Sequence, residues 1–292
     1  MKHVYTIDDL REKALPVNAK LAVLGYPVSH SASPQMHQAA LDALGIDASY
    51  IRLEIEPGNV SEAFGLMQSL GFIGCNVTIP HKLEAMECCD DLSASVKALG
   101  VANTIHFKDG RIMGDNTDGP GLIKALEEDF GLSVKGSNIL VLGAGGGAGK
   151  AISTQLNREG CANLYLSNRT VSKLEKMAEN LPLTETRVHL LGNSSTELEA
   201  IAGEVQIIIN VTSMGMKPDD YLPIPVRCLT AQHMVYDAIY NPPLTSLLES
   251  ARDRGAAVAN GLSMLIHQGA ISFEIWTGKQ PDTGLMKKAI ST

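Results

Sequence analysis

No apolar run in this chain approaches the roughly 18 residues that a membrane-spanning helix needs, so no membrane partner is expected. The first residues, Met1–Lys13, carry charges of both signs and no apolar core, which argues against a signal peptide. The five cysteines (Cys75, Cys88, Cys89, Cys161 and Cys228) include no C-x-x-C pair. An odd count without a secretory leader reads as reduced thiols in the cytoplasm. The eight histidines show neither H-E-x-x-H nor another ligand spacing, so no metal is expected. Positive charge is scarce too: 24 Lys and Arg against 32 Asp and Glu leave a net charge of -8. Without a basic stripe, nucleic acid is not an expected partner. Internal repeats and low-complexity segments are missing. Asn76-Val77-Thr78 and Asn168-Arg169-Thr170 match a glycosylation pattern, but in a cytosolic chain they are chance matches.

What is present is the stretch Asn138–Gly149, N-I-L-V-L-G-A-G-G-G-A-G. Ile139–Leu142 is short and apolar, as a buried parallel strand would be. Gly143, Gly145 and Ala148 then fall on the spacing G-x-G-x-x-A, and Lys150–Arg158 reads as a helix. Strand, glycine turn and helix N-terminus together make a site for a pyrophosphate. Gly143 permits the turn and Gly145 admits the phosphates. Ala148 is expected to let the helix pack close to the strand. An acidic residue about 20 positions further on would bind the ribose hydroxyls of NAD. Here the second strand, Asn163–Leu166, runs into Ser167-Asn168-Arg169-Thr170, with no carboxylate at its tip. Arg169 is a planar donor suited to a 2′-phosphate, and Lys173 adds charge one helical turn on. The cofactor expected is therefore NADP.

The 292 residues allow one large or two medium domains. Before the glycine turn, strands at Lys20–Gly25, Ser49–Ile55 and Gly74–Ile79 alternate with helices at about Ser33–Leu44 and Val60–Leu70. Ser33 reads as a helix N-cap with Pro34 at the first helical position. Pro80 is expected to open another helix, and Val101–Met113 a hairpin turning at Asp109-Gly110. The polar run Gly114–Gly121 precedes an amphipathic helix, Leu122–Phe130, and marks a domain crossover. Later strands fall at Val205–Asn210, Met234–Ala238 and Ala257–Ala259, with helices at about Ser172–Asn180 and Leu244–Arg254. A helical tail, Met264–Trp276, follows and is expected to return to the first domain. The fold class is α/β in two domains: an N-terminal α/β substrate domain and a C-terminal Rossmann-type, doubly wound parallel sheet. The expected boundaries are 1–117 with 261–292 for the substrate domain and 118–260 for the NADP-binding domain.

Three polar segments stand where first-domain strands should end, which is where open sheets bind ligands. They are Ser29–Pro34, Asn76–Lys82, and Asn103 with Asp115–Gly119. Their hydroxyls, amides, carboxylates and one lysine suit a ligand with several hydroxyls and one carboxylate. Ser31-x-Ser33-Pro34, N-V-T-x-P-x-K ending at Lys82, Asn103-Thr104, G-D-N-T-D-G at Gly114–Gly119, the G-A-G-G loop and N-R-T at Asn168–Thr170 occur in that order. With Asn210-x-Thr212, Tyr236-Asp237, Tyr240 and G-L-x-M-L-x-x-Q ending at Gln268, the chain resembles the shikimate/quinate dehydrogenase family. The resemblance spans nearly the whole chain, apart from the first dozen residues, which it does not place.

The resemblance implies two α/β domains with the active site in the cleft between them. It implies reversible hydride transfer between NADPH and the C3 ketone of 3-dehydroshikimate, giving shikimate, a step of aromatic amino-acid biosynthesis. Carried over by position, the catalytic pair is Lys82 and Asp118, and the substrate residues are Ser31, Ser33, Thr78, Asn103, Tyr240 and Gln268. Cofactor contacts fall on Gly143, Ala144, Gly145, Gly146 and Gly147, on Asn168, Arg169, Thr170 and Lys173, on Thr212, and on Gly261 and Met264. The loop is richer in glycine than the family's usual form. An NAD(P)-dependent quinate/shikimate dehydrogenase of broader substrate use is the alternative, and a non-catalytic NADP sensor the rival from another class. The partner expected is a small-molecule substrate, and the enzyme a monomer or homodimer.

Overall fold

The computed structural model describes residues 2–217 and 219–291. Packing divides the chain into two compact units, 1–117 with 268–292 and 118–267.

The first unit holds β1 (Tyr5–Thr6), α1 (Ile7–Arg11), β2 (Ala19–Gly25), α2 (Ser33–Ala43), β3 (Ser49–Glu54), α3 (Val60–Ser69), β4 (Gly74–Val77), α4 (Lys82–Glu87), β5 (Asp91–Leu92), α5 (Ala94–Leu99), β6 (Thr104–Lys108) and β7 (Arg111–Asp115). Its sheet runs β1-β3-β2-β4-β6-β7-β5. The first four strands are parallel, and β6 and β7 form an antiparallel hairpin. The hairpin turns at Asp109 and Gly110, both at positive φ, as a tight hairpin turn requires. From β2 the chain crosses to β3 on one side and then to β4 on the other. The point of reversal therefore lies between the C-terminal ends of β2 and β4.

Side chains alternate along these strands with the period of two that the pleat imposes. Ile51 and Leu53 of β3, Cys75 and Val77 of β4, and Ile105 of β6 join Phe64 and Met67 of α3 in one apolar core. The intervening residues are polar: Tyr50, Arg52 and Glu54 on β3, Asn76 on β4 and Thr104 on β6. Against them lie His37 of α2 and, from 268–277, Ser272, Phe273 and Trp276.

The second unit holds α6 (Asp118–Phe130), β8 (Asn138–Leu142), α7 (Gly147–Arg158), β9 (Asn163–Ser167), α8 (Val171–Ala178), β10 (Arg187–Leu191), α9 (Ser195–Ala202), β11 (Ile207–Asn210), β12 (Met234–Asp237), α10 (Ser246–Asp253) and β13 (Ala257–Asn260). All its strands are parallel, in the order β10-β9-β8-β11-β12-β13. This is the doubly wound dinucleotide-binding order, with its reversal between β8 and β11. Then α11 (Leu262–Thr277) starts in this unit and ends in the first, where α12 (Thr283–Lys288) packs on α2.

Several sequence expectations need correction. Ser33 does not cap α2. Ala32 holds the N-cap position with helical dihedrals, so Ser33 is already inside the helix and its hydroxyl does no capping. The helix after β4 starts at Lys82, with His81 before it, rather than at Pro80. The second strand of the hairpin runs on to Asp115 rather than ending at Met113, and α6 starts at Asp118 rather than at Leu122, with a carboxylate that suits a helix N-terminus. The unplaced N-terminal residues form β1 and α1, and Arg11 reaches Glu62 of α3 through Nε (2.8 Å) and Nη2 (2.9 Å).

Candidate active site

At the reversal point of the first unit, two loops are bonded to each other. The Thr78 N–H donates to the Leu24 carbonyl at 2.9 Å, and the Tyr26 N–H to the Ile79 carbonyl at 3.1 Å. The β2 loop carries Ser31 and leads into Ser33 at the start of α2, and their hydroxyl oxygens lie 3.2 Å apart. Ser31 Oγ also accepts the Ser33 N–H at 3.3 Å. The β4 loop carries Thr78 and leads to Lys82. It is pinned by buried His81, whose Nε2 lies 2.8 Å from the Ile55 carbonyl. Asn103 joins this group through the main chain: its carbonyl accepts the Val77 N–H at 2.7 Å, and next to it the Ala102 N–H donates to the Lys82 carbonyl at 2.9 Å. The structure thus sets the segments that carry Ser31 and Ser33, Thr78 and Lys82, and Asn103 at the adjoining ends of β2, β4 and β6.

Asn103 is almost fully buried, and its amide orientation follows from its partners. Oδ1 accepts the Thr117 N–H (2.9 Å) and the Thr104 hydroxyl (2.9 Å), while Nδ2 donates to Thr117 Oγ1 (3.1 Å). Behind it runs a chain of hydroxyls. Ser272 Oγ lies 2.8 Å from Thr104 Oγ1 and 3.2 Å from Thr117 Oγ1, and it accepts Asn76 Nδ2 at 3.0 Å. Ser272 itself donates to the Gln268 carbonyl at 2.9 Å. Asn76 Oδ1 accepts the Tyr50 hydroxyl at 2.8 Å. Each buried polar group in this set has a partner, which is what low-dielectric surroundings demand. Gln268 is therefore tied through its backbone to the same network that orients Asn103. Burial holds the Cys75 thiol and the Tyr50 hydroxyl above their ordinary pKa values, so neither serves as an anionic nucleophile.

In the second unit, Gly143 ends β8 at φ +87, a conformation that disfavours a side chain. A Cβ there would also lie 2.7 Å from Thr212 Cγ2, so the glycine loop and Thr212 are in contact. Gly146 is the extended N-cap of α7. The first N–H groups of that helix have no intrahelical acceptor and face the loop, as an anion requires. Gly145 packs against Asn168, where a Cβ would come within 2.9 Å of the amide carbon. One detail departs from the expected spacing. The residue that lets α7 approach β8 is Gly149, whose Cβ would lie 2.7 Å from Ala144 Cα, whereas Ala148 remains half-exposed.

Beyond β9, Asn168 Nδ2 donates to the Thr170 carbonyl at 3.0 Å and shapes the turn that exposes Arg169, Thr170 and Lys173. Among the described residues the Arg169 and Lys173 side chains have no ion pair. Two uncommitted cations beside a glycine turn and a helix N-terminus fit a dinucleotide bearing a 2′-phosphate. Thr212 Oγ1 donates to Asn210 Oδ1 at 2.7 Å and accepts the Met214 N–H at 3.1 Å. Asn210 in turn donates to the buried carboxylate of Asp237 at 3.0 Å. Burial raises the Asp237 pKa, opposed by hydrogen bonds from Thr245, the Ile239 N–H and Asn210. This support under Thr212 was not singled out by function in the sequence, although Asn210 and Asp237 belong to its motifs. Tyr240 is half-buried three residues after β12 ends. Gly261 is a close-packed bend against the Ala238 carbonyl, and the Met264 side chain sits in the apolar core of this unit. No group of three or more metal-ligating side chains occurs among the described residues.

Three family models match. "Shikimate dehydrogenase substrate binding domain" covers residues 23–105, "Shikimate / quinate 5-dehydrogenase" 124–216, and "Shikimate 5'-dehydrogenase C-terminal domain" 261–290. The chain is 41% identical over 269 residues to the shikimate dehydrogenase (NADP(+)) of Geobacillus kaustophilus, covering 92% of this chain and 96% of that one. A crystal structure of a shikimate dehydrogenase in complex with NADP+ superposes with a TM-score of 0.86 at 38% identity, covering 94% of this chain and 96% of the other. The enzyme from Thermus thermophilus in complex with NADP(H) and shikimate gives 0.82 at 34% identity, with 93% and 98% covered. On matches that run almost end to end, the chain belongs to the shikimate dehydrogenase family.

Proposed function

We propose that this protein is an NADP-dependent shikimate dehydrogenase that reversibly reduces 3-dehydroshikimate to shikimate. The observation that supports the reading is that the segments carrying Ser31 and Ser33, Thr78 and Lys82, and Asn103 end side by side at the strand-order reversal of one unit, in a chain whose other unit is a dinucleotide-binding sheet. Relatives named for NADP and shikimate support both ligands.

When bound, NADPH supplies the hydride, and the protein supplies position and a proton. Gly143–Gly147 and the N-terminus of α7 would hold the pyrophosphate. Asn168, Arg169, Thr170 and Lys173 would hold the adenosine end with its 2′-phosphate, and Thr212 would lie on the nicotinamide side. The Ser31 and Ser33 hydroxyls would donate to the substrate carboxylate. Thr78, Asn103, Tyr240 and Gln268 would bind ring hydroxyls. Lys82 would donate a proton to the oxyanion that develops at C3 and accept it in the reverse direction. Asp118 would orient the Lys82 ammonium and a substrate hydroxyl. A lysine is suited to this step because its charge stabilises the alkoxide as it forms.

The alternative that uses NAD has less support, because Arg169 stands where an NAD enzyme would place a carboxylate, with Lys173 one helical turn on. The reading includes work in the cytoplasm as a monomer or homodimer. Replacing Lys82 by Ala tests the mechanism. Turnover of shikimate is expected to fall at least about 10²-fold, with KM for NADP little changed. Normal turnover would remove Lys82 from the chemistry.

A further inference from the structure

The loop that carries Ser31 and Ser33 is held from the strand beside it. Arg52 of β3 is only 8% exposed. Its guanidinium donates through Nε (3.0 Å) and Nη2 (2.6 Å) to the main-chain carbonyl of Ser31. Nη2 also donates to Gln35 Oε1 at 2.9 Å, in the first turn of α2. Two residues on and on the same face of β3, the Glu54 carboxylate accepts the Val28 N–H at 3.1 Å. The N-terminal segment completes the arrangement. Tyr5 and Thr6 pair with Leu53 and Glu54, and His3 Nε2 lies 3.1 Å from the Ser29 carbonyl. Three main-chain groups of one short loop are thus taken by side chains from outside it. Water would satisfy an exposed loop carbonyl. Here a guanidinium that is costly to bury is committed to it instead.

We propose that Arg52 is a positioning residue for the substrate carboxylate. The rigid guanidinium fork fixes the peptide plane after Ser31, and with it the aim of the Ser31 and Ser33 hydroxyls. The β1 segment covers the edge of the strand that carries Arg52. This rests on the reading that Ser31 and Ser33 bind the carboxylate.

The test compares initial rates of shikimate oxidation with NADP for the wild-type protein, Arg52→Met, Arg52→Lys, Ser31→Ala and the double variant Arg52→Met/Ser31→Ala. Arg52→Met is expected to raise KM for shikimate about tenfold, with kcat and KM for NADP nearly unchanged. Arg52→Lys is expected to recover part of the loss, because an ammonium reaches a carbonyl but lacks the fork. In the double variant the two effects are expected to be less than additive, since both act on one contact. A folded Arg52→Met with lowered melting temperature but unchanged KM for shikimate would overturn the proposal, as would full additivity. Should Arg52→Met not fold, an unchanged KM in Arg52→Lys would overturn it and a raised one support it. If Ser31→Ala leaves KM for shikimate unaltered, the assignment of Ser31 falls, and the role of Arg52 with it. If only the Arg52 variants leave it unaltered, that assignment stands and the positioning role is refuted.

Discussion

His37 is expected to make the first unit acid-labile. It is fully buried, stacked on Tyr50 at a ring separation of 4.4 Å, and neither ring nitrogen has a hydrogen-bond partner among the described residues. Burial pushes its pKa from 6.5 down to about 3. Between those values the unfolded chain binds a proton that the folded chain does not. Its stability contribution is therefore complete above pH 6.5 and is lost as pH falls toward 3. The slope is about 1.4 kcal/mol per pH unit, so by pH 5 the loss from this residue alone is about 2 kcal/mol. Trp276, the single tryptophan, lies 5.5 Å from the His37 ring and reports on this unit. Urea unfolding followed by its fluorescence should be measured at pH 8 and pH 5 for the wild-type protein and for His37→Leu, a non-titrating residue of similar size. The gap between wild type and variant should shift in favour of the variant by about 2 kcal/mol on going to pH 5. Equal pH dependence in the two proteins would refute the reasoning and mean that His37 gains a proton in the folded state.

Two further predictions concern the second unit. Gly149→Ala would press a methyl group onto the turn at Gly143 and Ala144, so the loop must shift. NADP affinity should fall about tenfold or more, as read by titration of cofactor fluorescence, whereas Gly203→Ala, which meets nothing within 4 Å and ends α9 away from the glycine loop, should bind as wild type. Arg169→Ala should raise KM for NADP by about ten- to a hundredfold while leaving KM for NAD unchanged, and the salt dependence of KM for NADP should weaken with it.

The second unit was legible in the sequence because its turn chemistry is local. An apolar strand, glycines at required spacing and a helix start occupy twelve consecutive residues, Asn138–Gly149. The hairpin at Asp109-Gly110 was readable for the same reason. Positions decided by a single residue were less so. Whether Ser33 caps α2 or sits inside it depends on where Ala32 turns, and that is settled by the packing of the loop. The fingerprint spacing pointed to Ala148, while the close contact falls on Gly149. Strand β10 is not legible because Arg187–Leu191 is an edge strand with no fully buried position. The two-residue β1 had no periodicity to detect. For Arg52 and Glu54 a signal did exist: Tyr50-Ile51-Arg52-Leu53-Glu54-Ile55 alternates polar and apolar residues in a strand covered on both faces, which places two charges in the interior. What they bind is set by the Ser29–Ser33 loop, roughly 20 residues earlier, and no local pattern records that.

The central claim is tested most directly by initial rates of the purified protein in the oxidising direction, with shikimate and quinate each crossed against NADP and NAD. The account predicts fast turnover for shikimate with NADP alone. Comparable rates with quinate would contradict it on the substrate, and a preference for NAD would contradict it on the cofactor and leave Arg169 and Lys173 as surface cations with no phosphate to bind.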